Sequence, residues 1–260
     1  MTFDERHVIS SSLEFKRGAQ TDNTGTENGY TTAFRLTHGY TKSMIGIMML
    51  DTRFPRIEGD IGNAASFDHP VTYLTIERAR VDRIVRNRHL EDEMIDAFVQ
   101  GAILLEQQGA RVIGTSCGFM APYQETISRA VKVPVLVSAL VLMPFLRTLY
   151  GPDAPFGVLT FDADNLQPFH FNTCFDQNIS IQGLPKYGEL FQCITNDQTT
   201  LNRELAQKEV LEATDRLLKN QPDTRAIIIE CTNISPYKAA IRQRTGLNVF
   251  DLVDALQWML

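Results

Sequence analysis

Four apolar runs constrain the architecture of this chain more than any other feature: "SMIGIMML" (43–50), "RVIGT" (111–115), "FGVLTF" (156–161) and "AIIIE" (226–230). A strand with one face in water alternates apolar and polar side chains. A short, nearly unbroken apolar run between polar residues fits a strand covered on both faces, the setting of a parallel sheet sandwiched between helices.

The segments between these runs supply the rest of an alternating pattern. A loop carrying Pro55, Gly59 and Gly62 leads to a strand at "VTYLTI" (71–76), then to a helix over 91–108 with Met94, Phe98 and Leu105 on one side and Gly109 at its end. After the strand at 111–115, a helix is predicted from Pro122, a strand over 133–137 and an apolar helix from Ala139. The stretch Gly-Pro-Asp-Ala-Pro at 151–155 reads as a lobe boundary, and the alternation restarts beyond it. Strands at 156–161, 179–184 and 226–230 enclose helices over 164–172 and 200–219, the second with Leu201, Leu205, Ala213 and Leu217 near one face. Ser235-Pro236 reads as a helix start, and a strand "LNVF" and a helix from Asp251 close the chain.

The fold class expected is therefore α/β, with two similar lobes of mostly parallel sheet flanked by helices and a site in the cleft between them. The domain reading is a polar arm over 1–41, rich in Thr, Gly and Asn, a first lobe over 42–150 and a second over 151–246, with the C-terminal segment 247–260 packing back on the first lobe. The arm suits contacts between subunits, and a homo-oligomer is left open.

Composition narrows the partners. The 260 residues are 43% hydrophobic and 22% charged, ordinary for a globular protein. A net charge of −6, with basic and acidic residues spread along the chain, leaves no basic stripe for phosphates, so nucleic acid is not expected. The N-terminus lacks the layout of a signal peptide, and the uncharged stretch 133–146 is too short to cross a bilayer, which points to a cytoplasmic protein without membrane contact. Cys117, Cys174, Cys193 and Cys231 form no CxxC pair and have no histidine at ligand spacing, so the expectation is free thiols and no metal. Nor does "FDADN" (161–165) have the spacing of a calcium loop, and the histidines are scattered.

Two of these cysteines share a setting. Cys117 in "GTSCGFM" and Cys231 in "IIIECTN" each stand at or just past the end of an apolar strand and before a predicted helix. Parallel α/β sheets bind ligands outside the carboxyl ends of their strands. Backbone N–H groups at a helix start favour a thiolate, so a lowered thiol pKa is expected at both. Either cysteine alone could equally be core filler; the matching settings favour function. Two thiols facing one ligand suit proton transfer at a carbon acid, one removing a proton from the carbon beside a carboxylate and the other delivering one to the opposite face. Donors for the developing charge are sought in the hydroxyl and N–H groups of Thr115, Ser116, Thr232 and Asn233. Glu230, next to Cys231 on the predicted strand, is expected on the opposite face as a buried, paired carboxylate. Arg53 and Arg56 could clamp a carboxylate or make ordinary ion pairs.

The cysteine of "GTSCG", that of "ECTN" and the strand "IGIMMLD" ending at Asp51 together resemble the aspartate/glutamate racemase superfamily, which includes hydantoin racemases, maleate isomerases and arylmalonate decarboxylases. The resemblance covers about residues 43–260. It implies two pseudo-symmetric lobes, no cofactor, a small carboxylate substrate, Cys117 and Cys231 as the acid/base pair and Asp51 near the first thiol. Thr232 follows the second cysteine as in the racemases. Gly118 follows Cys117 where amino-acid racemases carry Asn-Thr, and Glu230 and "NISPY" also depart from the glutamate racemase pattern. In a second register Gly114, Thr115 and Ser116 match the decarboxylase loop in which glycine replaces the first cysteine. The leading reading is a cofactor-independent racemase or epimerase of a small carboxylate. Its alternatives are a decarboxylase or cis-trans isomerase using mainly Cys231, and a noncatalytic binding protein on the same scaffold.

Overall fold

The computed structural model describes residues 44–260, so the arm over 1–41 lies outside the described residues. Eight strands form two sheets. The first contains β1 (Met44–Leu50), β2 (Val71–Ile76), β3 (Ala110–Thr115) and β4 (Val135–Leu136), and the second β5 (Phe156–Thr160), β6 (Ile179–Gly183), β7 (Ala226–Ile229) and β8 (Asn248–Phe250). Their orders, β2-β1-β3-β4 and β6-β5-β7-β8, are the same path drawn twice. Every pairing is parallel. The helices are α1 (Val81–Ile84), α2 (Asp92–Gln107), α3 (Gln124–Ser128), α4 (Met143–Tyr150), α5 (Glu189–Thr195), α6 (Arg203–Asn220), α7 (Lys238–Thr245) and α8 (Leu252–Gln257).

The apolar runs become strands for the reason their composition suggests. On β5 and β7, Phe156, Val158, Ala226 and Ile228 join the larger core, while Leu159, Ile227 and Ile229 join the smaller core. Both faces are buried, which explains the absence of polar alternation. The larger core also takes in β1, β3 and α8, so it runs unbroken from the first sheet to the inner face of the second. Helix α8 packs on β3 and β4.

The repeated path extends to glycine placement. A Cβ on Gly46 of β1 would lie 3.2 Å from Leu105 Cβ of α2, and one on Gly157 of β5 would lie 2.5 Å from Leu217 Cδ2 of α6. Each lobe thus keeps a glycine on its first strand beneath its crossover helix, and Gly46 is confined further by Ala110 Cβ of β3 at 2.9 Å.

Several elements differ from the sequence reading. The segment after Cys117 is a 3-10 turn over Gly118–Tyr123, with Pro122 inside it, followed by the short α3. Of the helix expected over 164–172, only a 3-10 turn at Pro168–Phe171 forms. A similar turn precedes α4 at Ala139–Leu142, and another, Ser235–Tyr237, precedes α7 with Ile234 at its cap position. Helices α1 and α5 were not anticipated, being too short to show a period.

Candidate active site

The two cysteines occupy equivalent points of the repeated path. Strand β3 ends at Thr115, two residues before Cys117, and β7 ends at Ile229, two residues before Cys231. In each sheet the strand order reverses beside these central strands, so their carboxyl ends open on a switch-point crevice. Cys117 and Cys231 line one narrow, partly open cavity. Phe54 and Arg56 come to its wall from the loop after β1, Phe161 from the end of β5, and Val81 and Ile194 from the α1 and α5 regions.

The thiols are held alike. Each sulfur faces the backbone N–H two residues on, Phe119 for Cys117 and Asn233 for Cys231. The Cys231 thiol also reaches Asn233 Oδ1 at 3.7 Å. Asn233 Nδ2 donates to Asp60 Oδ2 at 2.6 Å, and Arg56 and the Gly62 N–H both bond the other oxygen of that buried carboxylate. Arg56, lying over the Phe54 ring, therefore fixes Asp60, which fixes the Asn233 amide beside Cys231. The two cysteine turns are tied directly, Thr232 Oγ1 donating to the Ser116 carbonyl at 2.8 Å.

Burial dominates the electrostatics. It pushes Cys117 up to about 12, with the neighbouring Glu230 charge adding to the shift and the Phe119 N–H and Arg56 opposing it. Cys231 is raised well above the ordinary thiol range, again by burial first and then by Glu230. Burial also raises Glu230 to about 7, opposed by the Thr160 hydroxyl. The lowered thiol pKa expected from the sequence is thus reversed: the N–H groups are present, but loss of water and a nearby carboxylate outweigh them.

Of the residues singled out in the sequence, Ser116, Cys117, Gly118, Cys231, Thr232 and Asn233 line the cavity. Their hydroxyls are committed to the framework. Ser116 Oγ accepts from the Leu50 N–H at 2.8 Å, while Thr232 is bonded to Ser116 as above. Thr115 lies behind the wall, its hydroxyl within hydrogen-bond distance of the Val137 carbonyl at 2.7 Å and the Cys117 carbonyl at 2.9 Å. Gly114 is a packing glycine beneath α8, where a Cβ would meet Leu256 Cδ1 at 2.6 Å. Asp51 is exposed on a neighbouring depression shared with Arg80 and Asp197, away from the thiols. Arg53 pairs with Asp197, whereas Arg56 reaches the cavity.

Glu230 also lines the cavity, as its neighbour Cys231 does. Alternation along a strand does not apply to it, because β7 stops at Ile229. Its Oε2 accepts from Thr160 Oγ1 at 2.6 Å, and its Oε1 has no partner. Sequence reasoning missed Asp60, Phe54 and Phe161 as well. The one available signal was an acid closing the apolar run "AIIIE", where a charged side chain has little choice but burial. Among the described residues no cluster of His, Cys, Asp and Glu could hold a metal ion, and no helix is long and apolar enough to cross a membrane.

A family model described as Asp/Glu/Hydantoin racemase matches residues 63–260. The chain belongs to the Asp/Glu/hydantoin racemase family. The chain is also similar to curated lyases. A dimethylsulfoniopropionate lyase of Durusdinium sp. clade D is 24% identical over 223 residues, covering 83% of this chain and 73% of the relative. Dimethylsulfoniopropionate lyase 3 of Emiliania huxleyi (strain CCMP1516) is 26% identical over 226 residues, and there the match spans 83% of this chain but 58% of the relative. Among solved structures, unliganded arylmalonate decarboxylase superposes with a TM-score of 0.53 at 14% identity, over 83% of this chain and 90% of that one. The two lobes of this chain thus share their fold with a solved decarboxylase.

Proposed function

We propose that the protein is a lyase that removes the proton α to the carboxylate of a small substrate and expels a group from the β carbon, with dimethylsulfoniopropionate as the first candidate. The observation that carries this reading is the Cys231 thiol on one largely apolar cavity, set against an Asn233 amide that the Arg56–Asp60 pair holds; the curated relatives direct it toward elimination. Cys231, oriented through Asn233, Asp60 and Arg56, is assigned as the base. Its thiolate takes the α proton, the C–H electron pair becomes the new carbon–carbon double bond, and the carbon–sulfur bond breaks with its electrons leaving on sulfur. The products are acrylate, dimethyl sulfide and a protonated Cys231. The Thr232 backbone N–H and the Asn233 side chain are assigned to the substrate carboxylate side, and the step asks for no group beyond the protein's side chains and backbone.

The equivalent placement of Cys117 supports a second reading, racemisation or epimerisation through two thiols. Proton NMR in heavy water separates the two, using dimethylsulfoniopropionate beside aspartate, glutamate, hydantoins, maleate and aryl malonates. Vinyl signals of acrylate with loss of the sulfonium methyls mean elimination; loss of an α-proton signal with the skeleton intact means exchange. Elimination needs one base, so Cys231→Ala should abolish it while Cys117→Ala leaves measurable turnover. Racemisation should fall with either change. Silence across the panel with the full chain would overturn both readings.

A further inference from the structure

Two charged side chains belong to the cavity wall, and only one of them has an opposite charge. Arg56 is paired with Asp60 at 3.3 Å. Glu230, 1% exposed, has no cationic partner among the described residues. The Thr160 hydroxyl holds one of its oxygens at 2.6 Å. The other, unpartnered, lies 2.3 Å from where a Cβ on Gly118 would stand, so it sits against the backbone that follows Cys117, while Cys231 is its neighbour in the chain. A buried carboxylate left without a counter-charge is costly, which is why burial raises Glu230 to about 7, and a bound cation would offset that cost. Around it the wall presents the Phe119 and Phe161 rings and the aliphatic Leu50, Val81 and Ile194. Aromatic faces attract cations, and aliphatic groups suit the methyl groups of an alkylated one.

The geometry points to Glu230 as the specificity residue for a zwitterionic substrate: its free oxygen pairs with a compact alkylated cation, sulfonium or quaternary ammonium, carried on the carbon β to the reacting carboxylate's α carbon. This rests on the reaction proposed above and adds what the cavity selects. It also ties recognition to chemistry. The Glu230 charge opposes ionisation of both thiols, so a substrate cation that neutralises it eases formation of the thiolate in the complex that needs one. A neutral substrate of the same shape brings no such relief.

The test uses two probes with no leaving group: trimethylammonio-propionate, and its uncharged isostere in which a quaternary carbon replaces nitrogen. Binding of each to the full-length protein and to Glu230→Gln is measured by titration calorimetry. The glutamine keeps the bond to Thr160 and the volume beside Gly118. In the wild type the cationic probe should bind about 100-fold tighter than the isostere, the scale of a buried ion pair. In Glu230→Gln the ratio should fall to near one through loss of affinity for the cation alone. No preference in the wild type overturns the inference even if the variant does not fold. So does a preference that survives in a folded variant. If either occurs while acrylate still forms from dimethylsulfoniopropionate, the lyase reading stands without this residue's role; if neither probe binds and the NMR panel is silent, both fall together.

Discussion

At the scale of single residues, the two thiols are poised by what surrounds them more than by what they are. Both rest protonated, because burial and Glu230 act in the same direction. Alkylation by iodoacetamide should therefore still be accelerating at pH 10 for Cys117, whose pKa lies near 12, instead of levelling off near the ordinary thiol value. At pH 9 Glu230 is ionised, so Glu230→Gln removes a repelling charge and should speed alkylation of both thiols; an unchanged rate would remove Glu230 from their electrostatics. Asn233 acts differently. Its amide joins Cys231 to the Arg56–Asp60 pair, and its loss leaves Asp60 with one hydrogen bond fewer in a buried setting. Asn233→Ala should lower kcat about 10- to 100-fold by misorienting the thiol, while costing about 1–3 kcal/mol of stability for the unsatisfied carboxylate oxygen. Turnover assays beside urea melts check the pair of effects.

At the scale of elements, the decisive piece is the turn that follows each central strand. Gly118 opens the 3-10 turn after Cys117, and a Cβ there would lie 2.3 Å from the backbone carbonyl of Glu230. Gly118→Ala must push one cysteine turn away from the other, so it should destabilise by about 1–3 kcal/mol and remove most activity. Gly157→Ala is the control: its Cβ meets the tip of the flexible Leu217 side chain at 2.5 Å, and a smaller loss of melting temperature with activity kept is expected. The same turns mark where the sequence was readable. Unbroken apolar runs announce buried parallel strands, and β2 was located to the residue over Val71–Ile76. The 3-10 turns and the short α1 and α5 left no period to read. Cys117 and Cys231 were visible because each follows a strand that could be seen. Asp60 and Phe54 were hidden in a loop whose path depends on contacts with the second lobe, such as Asp197 accepting from the Arg53 and Phe54 N–H groups. Glu230 departs from the expected opposite face because strand alternation does not carry past Ile229, where β7 ends with the apolar run.

At the scale of the whole molecule, one continuous core joins the two sheets, so a charge buried at their junction is charged against the stability of the entire fold. Glu230 is that charge. Its pKa rises from an ordinary 4.5 to about 7 on folding. The folded protein therefore holds this proton more tightly than the unfolded chain does. The favourable contribution is fully present below pH 4.5 and is lost as pH rises through about 7. Two to three pKa units correspond to about 3 kcal/mol. Glu230→Gln, which mimics the protonated side chain, should match the wild type in urea denaturation at pH 4 and exceed it by a few kcal/mol at pH 8. A difference that is constant with pH would mean that Glu230 keeps an ordinary pKa in the fold. If the cost does appear, a cationic ligand that pairs with Glu230 should raise the melting temperature of the wild type more at pH 8 than its uncharged isostere does, and should lose that advantage in the glutamine variant. The fold would then carry at neutral pH a strain that its substrate relieves, and the instability of the free protein would measure how strongly the site is built for a positive charge.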